Sequence, residues 1–130
     1  MEKRLIRFQK GFALIELMVV VCLVAILSAL AIPNYLNYQC QAKQIEVKRN
    51  LGQLFTMEVA YRSENGKYSN NLALIGWSIT GQGRYSYSIT MATSTLFTAR
   101  ASANLDNDLI VDTWVMDNFK NLVNSTNDCS

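Results

Sequence analysis

The sequence contains no histidine and a single proline, Pro33, and only 17% of its 130 residues are charged. Without histidine it lacks the side chain most used for acid–base work near neutral pH. It also lacks a nucleophile elbow, a P-loop and a glycine-rich dinucleotide turn. Glu46, Glu58 and Glu64 are spaced along a helix-compatible segment, where such residues ordinarily form a solvated face. These absences point away from an enzyme.

What the sequence does contain is a long apolar run. From Phe12 to Ile32 there are 21 residues, all apolar or small except Glu16 and Ser28. At 1.5 Å per residue, a helix of that length spans the roughly 30 Å of bilayer hydrocarbon. The preceding segment, MEKRLIRFQKG, carries Lys3, Arg4, Arg7 and Lys10 against Glu2. That positive flank stays on the cytoplasmic side, so the helix should point its C-terminal end outward. A cleaved secretory signal would have a shorter apolar region and a small-residue cleavage site after it. A simple single-pass anchor would leave Glu16 unexplained, because a charge about one turn into hydrocarbon costs a few kcal/mol and usually marks a functional partner.

In the stretch "KGFALIELMVVV" (Lys10 to Val21), Gly11 and Phe12, Glu16 four residues on, the apolar run and then Pro33 together resemble the N terminus of type IV pilins and their pseudopilin relatives. The resemblance is strong from about Lys10 to Asn50 and only architectural beyond. It implies that a prepilin peptidase of the inner membrane cleaves between Gly11 and Phe12. Phe12 then becomes an N-methylated first residue. It also implies a role for Glu16: once helices bundle away from lipid, the N-terminal amine of Phe12 in an adjoining subunit neutralises it. A buried charge that finds its partner only in the assembled state favours assembly and fixes register. Phe12, Glu16 and Pro33 are therefore the expected assembly residues.

Removing residues 1–11 takes four basic residues and one acidic residue, leaving 8 basic and 9 acidic. The basic excess is thus a topology signal, and no nucleic-acid site is recognisable.

The implied organisation is a leader over 1–11, a hydrophobic transmembrane and assembly helix over 12–33, and an amphipathic half of the same helix over 34–65. A connecting loop over 66–83 leads to an antiparallel sheet and tail over 84–130. Val47, Leu51, Leu54, Phe55 and Val59 gather on one helix face that a sheet should cover. Asn65 and Gly66 end the helix, which from Phe12 to Glu64 would be about 80 Å long. Pro33 should kink or loosen it near Ala29 to Pro33. Ala25 stands where many pilins carry a helix-weakening glycine.

Strands are expected where Tyr85, Tyr87, Ile89 and Met91 alternate with polar residues, at Thr95 to Ser102, and at Leu109 to Met116. A short fourth is expected at Phe119 to Val123, after a turn at Asp117 and Asn118. A three- or four-stranded antiparallel sheet packed on one long helix makes an α+β fold.

Cys22 reads as a small apolar residue within the membrane helix. Cys40 and Cys129 both fall in the part expected outside the cytoplasm, where disulfides persist, and a bridge between them would close a long loop. In "NLDNDLIVDTW", Asn104, Asp106, Asp108 and Asp112 have the oxygen-donor spacing of the first part of a calcium loop. Leu109 and Val115 replace that loop's glycine and glutamate, and the plain alternative is an acidic turn between strands. No other cofactor is implied.

The resulting expectation is a homopolymeric pilus subunit for adhesion, twitching motility or DNA uptake. Its precursor would sit in the bacterial inner membrane, meet the pilus assembly machinery there, and end in an extracellular filament. The alternative is a pseudopilin of a type II secretion system. The short leader, Phe12, and the lack of the proline-containing loop usual in major pseudopilins favour the pilus.

Overall fold

A computed structural model describes residues 12–79, 81 and 83–129 with their side chains, and the backbone alone of residues 2–11. Helix α1 runs Glu2–Asn65 and is followed by strands β1 (Ser86–Ala92), β2 (Phe97–Ala103), β3 (Asp112–Asp117) and β4 (Leu122–Thr126). This is the α+β class expected, with four strands. The chain divides into two compact units, Met1–Tyr38 and Gln39–Ser130.

Among the described residues, the first unit is helix alone. Its helical backbone continues through Pro33, so the proline does not split α1 into two helices. Pro33 has no N–H to offer the carbonyl one turn back. Next to it, the Asn34 side chain donates to the Leu30 carbonyl at 3.2 Å.

In the second unit, the rest of α1 lies on a four-stranded meander of order β1-β2-β3-β4, every pair antiparallel. Val47, Leu51 and Leu54 are fully buried, and so is Glu58. The stripe therefore advances by four, three and four residues and ends on Glu58, while Val59 remains 42% exposed. This corrects the expected stripe, which ended on Val59. It also corrects the reading of Glu58 as surface charge: 58 continues the face, whereas 59 lies a further 100° around the helix.

Strand β2 supplies the facing surface with Phe97, Ala99, Ala101 and Ala103, all buried. Three alanines on a central strand let the helix approach closely, and Phe97 fills the remaining space against Phe55 and Tyr68. Trp114 and Met116 of β3 complete the sheet side of the core.

Gly66 closes α1 as expected, at φ 71° and with its N–H on the Arg62 carbonyl at 2.8 Å. The connector that follows is irregular but not peripheral, since Tyr68, Ile75 and Trp77 enter the core.

All four strands differ from expectation at their ends, and β2 runs from Phe97 to Ala103 rather than from Thr95 to Ser102. Tyr85 is buried, but β1 begins at Ser86, and a register shift between Ile89 and Met91 turns Met91 outward and places Ala92 against the core. Leu109, Ile110 and Val111 are exposed loop residues, and β3 starts at Asp112. Phe119 is 79% exposed in a turn where Lys120 takes φ 63°, so β4 begins at Leu122.

Candidate functional site

In the first unit, every large apolar side chain from Phe12 to Tyr38 is at least 52% exposed. The most apolar 18-residue window there has a mean hydropathy of 2.8, and none of it is buried. A soluble protein covers such a surface, so this helix requires lipid or other helices around it. Glu16 stands exposed on it, and among the described residues no lysine or arginine pairs with it. Cys22 is a free, exposed thiol on the same helix. Gly11 lies outside the residues whose surroundings are described.

In the second unit, the helix, the β2–β3 loop and the tail after β4 meet at one acidic corner. Cys40 and Cys129 form a disulfide across a sequence separation of 89 residues, with Cα atoms 5.6 Å apart. The bridge anchors the tail to the helix. Next to Cys129, Asp128 is buried, and its Oδ2 accepts the Leu105 N–H at 2.7 Å. Its own N–H donates to Asp112 Oδ1 at 3.3 Å.

Asp112 is where the calcium-loop expectation has to be corrected. It is fully buried in β3, and five donors from neutral groups converge on it. Tyr85 O–H and Trp114 Nε1–H each donate to Oδ2 at 2.6 Å. Gln44 Nε2 and Asn124 Nδ2 each donate to Oδ1 at 3.1 Å, beside the Asp128 N–H. A carboxylate so saturated is a structural anchor, and β-strand geometry turns it away from the loop.

Asn104 is also committed to the turn itself. Its Oδ1 accepts the Asn107 N–H at 2.6 Å, and its Nδ2 donates to the Asp108 carbonyl at 2.8 Å. Asn107, at φ 68°, is the loop's left-handed residue, two positions before the Leu109 that replaces the calcium-loop glycine. Asp106 and Asp108 remain at the surface, and the third acid beside them is Asp128, with one oxygen from each within 4.8 Å of the others. No spacing pattern in the sequence joins Asp128 to the loop. The closest available signal was its position next to Cys129.

Charge at this corner is unbalanced. The Leu105 N–H lowers the pKa of Asp128, but burial and the nearby carboxylates of Asp106 and Asp108 outweigh it, and the net shift is upward. Lys43 Nζ donates to the Leu105 carbonyl at 2.8 Å rather than to any of the three acids.

Comparison with known proteins agrees with both units. The family model described as type IV pilin PilA matches residues 38–128, and the prokaryotic N-terminal methylation motif matches residues 6–32. A type IV major pilin protein PilA of Myxococcus xanthus is 42% identical over 83 residues, 64% of this chain and 38% of that protein. A fimbrial protein of Neisseria meningitidis is 33% identical over 103 residues, 78% of this chain and 61% of its own length. A type IV wide pilus major component PilA4 of Thermus thermophilus is 36% identical over 69 residues, 53% of each chain. Each match spans less than two thirds of the relative's own length. With the family model covering most of the globular unit and the methylation motif covering the apolar helix, the chain belongs to the type IV pilin PilA family.

Proposed function

We propose that this chain is a structural subunit of a type IV pilus, polymerising through its exposed apolar helix. The observation that carries this reading is the pairing of two features on one helix. One is an apolar surface that the fold leaves uncovered, and the other is a lone carboxylate, Glu16, set within it. Lipid covers the first but not the second, whereas a bundle of copies covers both if each copy brings a positive group to Glu16.

Hydrolysis of the Gly11–Phe12 peptide supplies that group by freeing an α-amine at Phe12. The methylation-motif match over residues 6–32 supports processing by a prepilin peptidase and N-methylation at Phe12. In this reading, the unassembled subunit is held in the inner membrane by residues 12–33. The assembly machinery extracts it there into an extracellular filament used for adhesion, motility or DNA uptake. The names of the relatives support a pilus over a secretion piston.

Intact-mass and N-terminal analysis of filaments sheared from cells tests the proposal. The expected result is an abundant chain beginning with N-methyl-Phe12. A chain in that fraction retaining Met1 to Gly11 would overturn the processing step. Glu16→Ala and Glu16→Val should abolish filaments while leaving the processed subunit in the membrane, and filaments of normal number in both variants would sink the assembly role.

A further inference from the structure

We propose that Asp106, Asp108 and Asp128 form a calcium site that pins the β2–β3 loop to the tail segment carrying the Cys40–Cys129 bridge. This goes beyond the pilin reading and does not depend on it. The first observation is geometric: one oxygen from each carboxylate lies within 4.8 Å of the others. Calcium–oxygen bonds of about 2.3–2.6 Å put opposite ligands of one ion roughly 5 Å apart, so a single ion reaches all three.

The second observation concerns Asp128 alone. Its side chain belongs to a residue only 4% exposed, and Oδ2 is satisfied by the Leu105 N–H. Oδ1 is also buried, and among the described residues no N–H or hydroxyl donates to it; the side chain that Asp128 meets there is that of Asp108, itself an acid. A buried carboxylate oxygen without a donor is costly and rare, and here the two neighbouring side chains are themselves anionic. A cation supplies what that oxygen lacks and offsets the three converging charges together.

The donors are also held in place before any ion arrives. Asp106 Oδ1 accepts the Asp108 N–H at 3.1 Å, and Asp108 Oδ1 accepts the Ile110 N–H at 2.5 Å. Each of the three carboxylates is thus fixed by a backbone amide.

The chemistry of the set selects the ion. All donors are carboxylate oxygens, and no histidine exists in the chain to favour a softer metal. Asp106 and Asp108 are exposed, leaving room for water in the remaining positions. Magnesium demands a tighter octahedron and gives up its water reluctantly, whereas calcium tolerates an irregular shell. A half-open site with three protein ligands should bind in the range of extracellular modules, with a Kd of about 10⁻⁴ to 10⁻³ M. This arrangement is not the linear loop that the spacing suggested. It joins two segments distant in sequence, and Asp128 takes the place of Asp112.

The test is thermal unfolding and calorimetric titration of the detergent-solubilised full chain after chelation, with CaCl₂, MgCl₂ or EDTA added. Calcium at about 5 mM, several times the expected Kd, should raise the melting temperature by several degrees relative to EDTA, and magnesium should give half that rise or less. Asp106→Asn and Asp108→Asn keep the oxygen that caps the loop, so both should fold, retain the disulfide and lose the calcium response. Equal melting temperatures in calcium and EDTA, with no heat of binding up to about 10 mM, would overturn the site. A full calcium response in both variants would overturn the ligand assignment, and an equal magnesium response at the same midpoint would overturn the choice of ion.

Discussion

The Tyr85 hydroxyl donates to Asp112 Oδ2 at 2.6 Å, joining the residue just before β1 to the first residue of β3 across the intervening strand. Burial and the Asp112 carboxylate both push the Tyr85 pKa upward, so the phenol stays a neutral donor at every physiological pH. Removing that donor while leaving the acceptor buried should cost about 1.5–3 kcal/mol in Tyr85→Phe. Asp112→Ala, which strands five donors, should cost more than about 3 kcal/mol. Urea unfolding of the solubilised chain measures both, and a loss below about 0.5 kcal/mol in Asp112→Ala would show that the network is not a stabilising anchor.

Glu58 gives a pH signature. Burial raises its pKa, and the Ser69 N–H, donating to Oε2 at 3.1 Å, only partly opposes this. A folded pKa above the unfolded one means that Glu58's contribution to stability is complete below the unfolded pKa and is lost as pH rises through the folded one. Glu58→Gln does not titrate, so it should melt a few degrees higher than the native chain at pH 7 to 8, with the gain vanishing below about pH 4. A pH-independent difference would mean that the carboxyl is not desolvated.

Loss of the Cys40–Cys129 bridge frees a loop with a sequence separation of 89 residues. Loop-entropy reasoning puts the destabilisation of Cys129→Ser at about 4 kcal/mol. Denaturant unfolding under oxidising conditions, compared with the native chain before and after reduction, checks this. A non-reducing digest should show the bridged peptide pair, with Cys22 as a free thiol.

The helix stripe can be tested by a pair of truncations. Leu54 is fully buried and Val59 is 42% exposed. Leu54→Ala should cost about 2–5 kcal/mol and Val59→Ala less than about 1 kcal/mol. Equal losses would place Val59 in the core after all.

Much of the architecture was legible because it rests on periodicity and on strongly local chemistry. The apolar run from Phe12 and the Gly66 cap were readable in this way, and so was the alternation that begins at Tyr85. The residues misjudged were those whose surroundings are set by distant parts of the chain. Glu58 looked solvated because charge type suggested so, yet its place on the 47-51-54 face carried it inside. Met91 kept the phase of Tyr87 in sequence, but a bulge reversed it. Asp112 fitted a loop spacing until strand pairing with Ala103 turned it inward toward Tyr85 and Trp114. Asp128 could not be assigned to the acidic corner by any linear rule, because it lies 20 positions beyond Asp108 and 22 beyond Asp106 and the chain must fold back to place it there.

The bridge also sets an order of events. Synthesis runs from the N terminus, so the Cys40 thiol is made first and has no permanent partner until all four strands have followed it. Its correct oxidation therefore acts as a receipt that the whole sheet has been delivered. Any product halted before Cys129 carries an unspent thiol at Cys40, a chemical flag by which incomplete chains differ from finished ones.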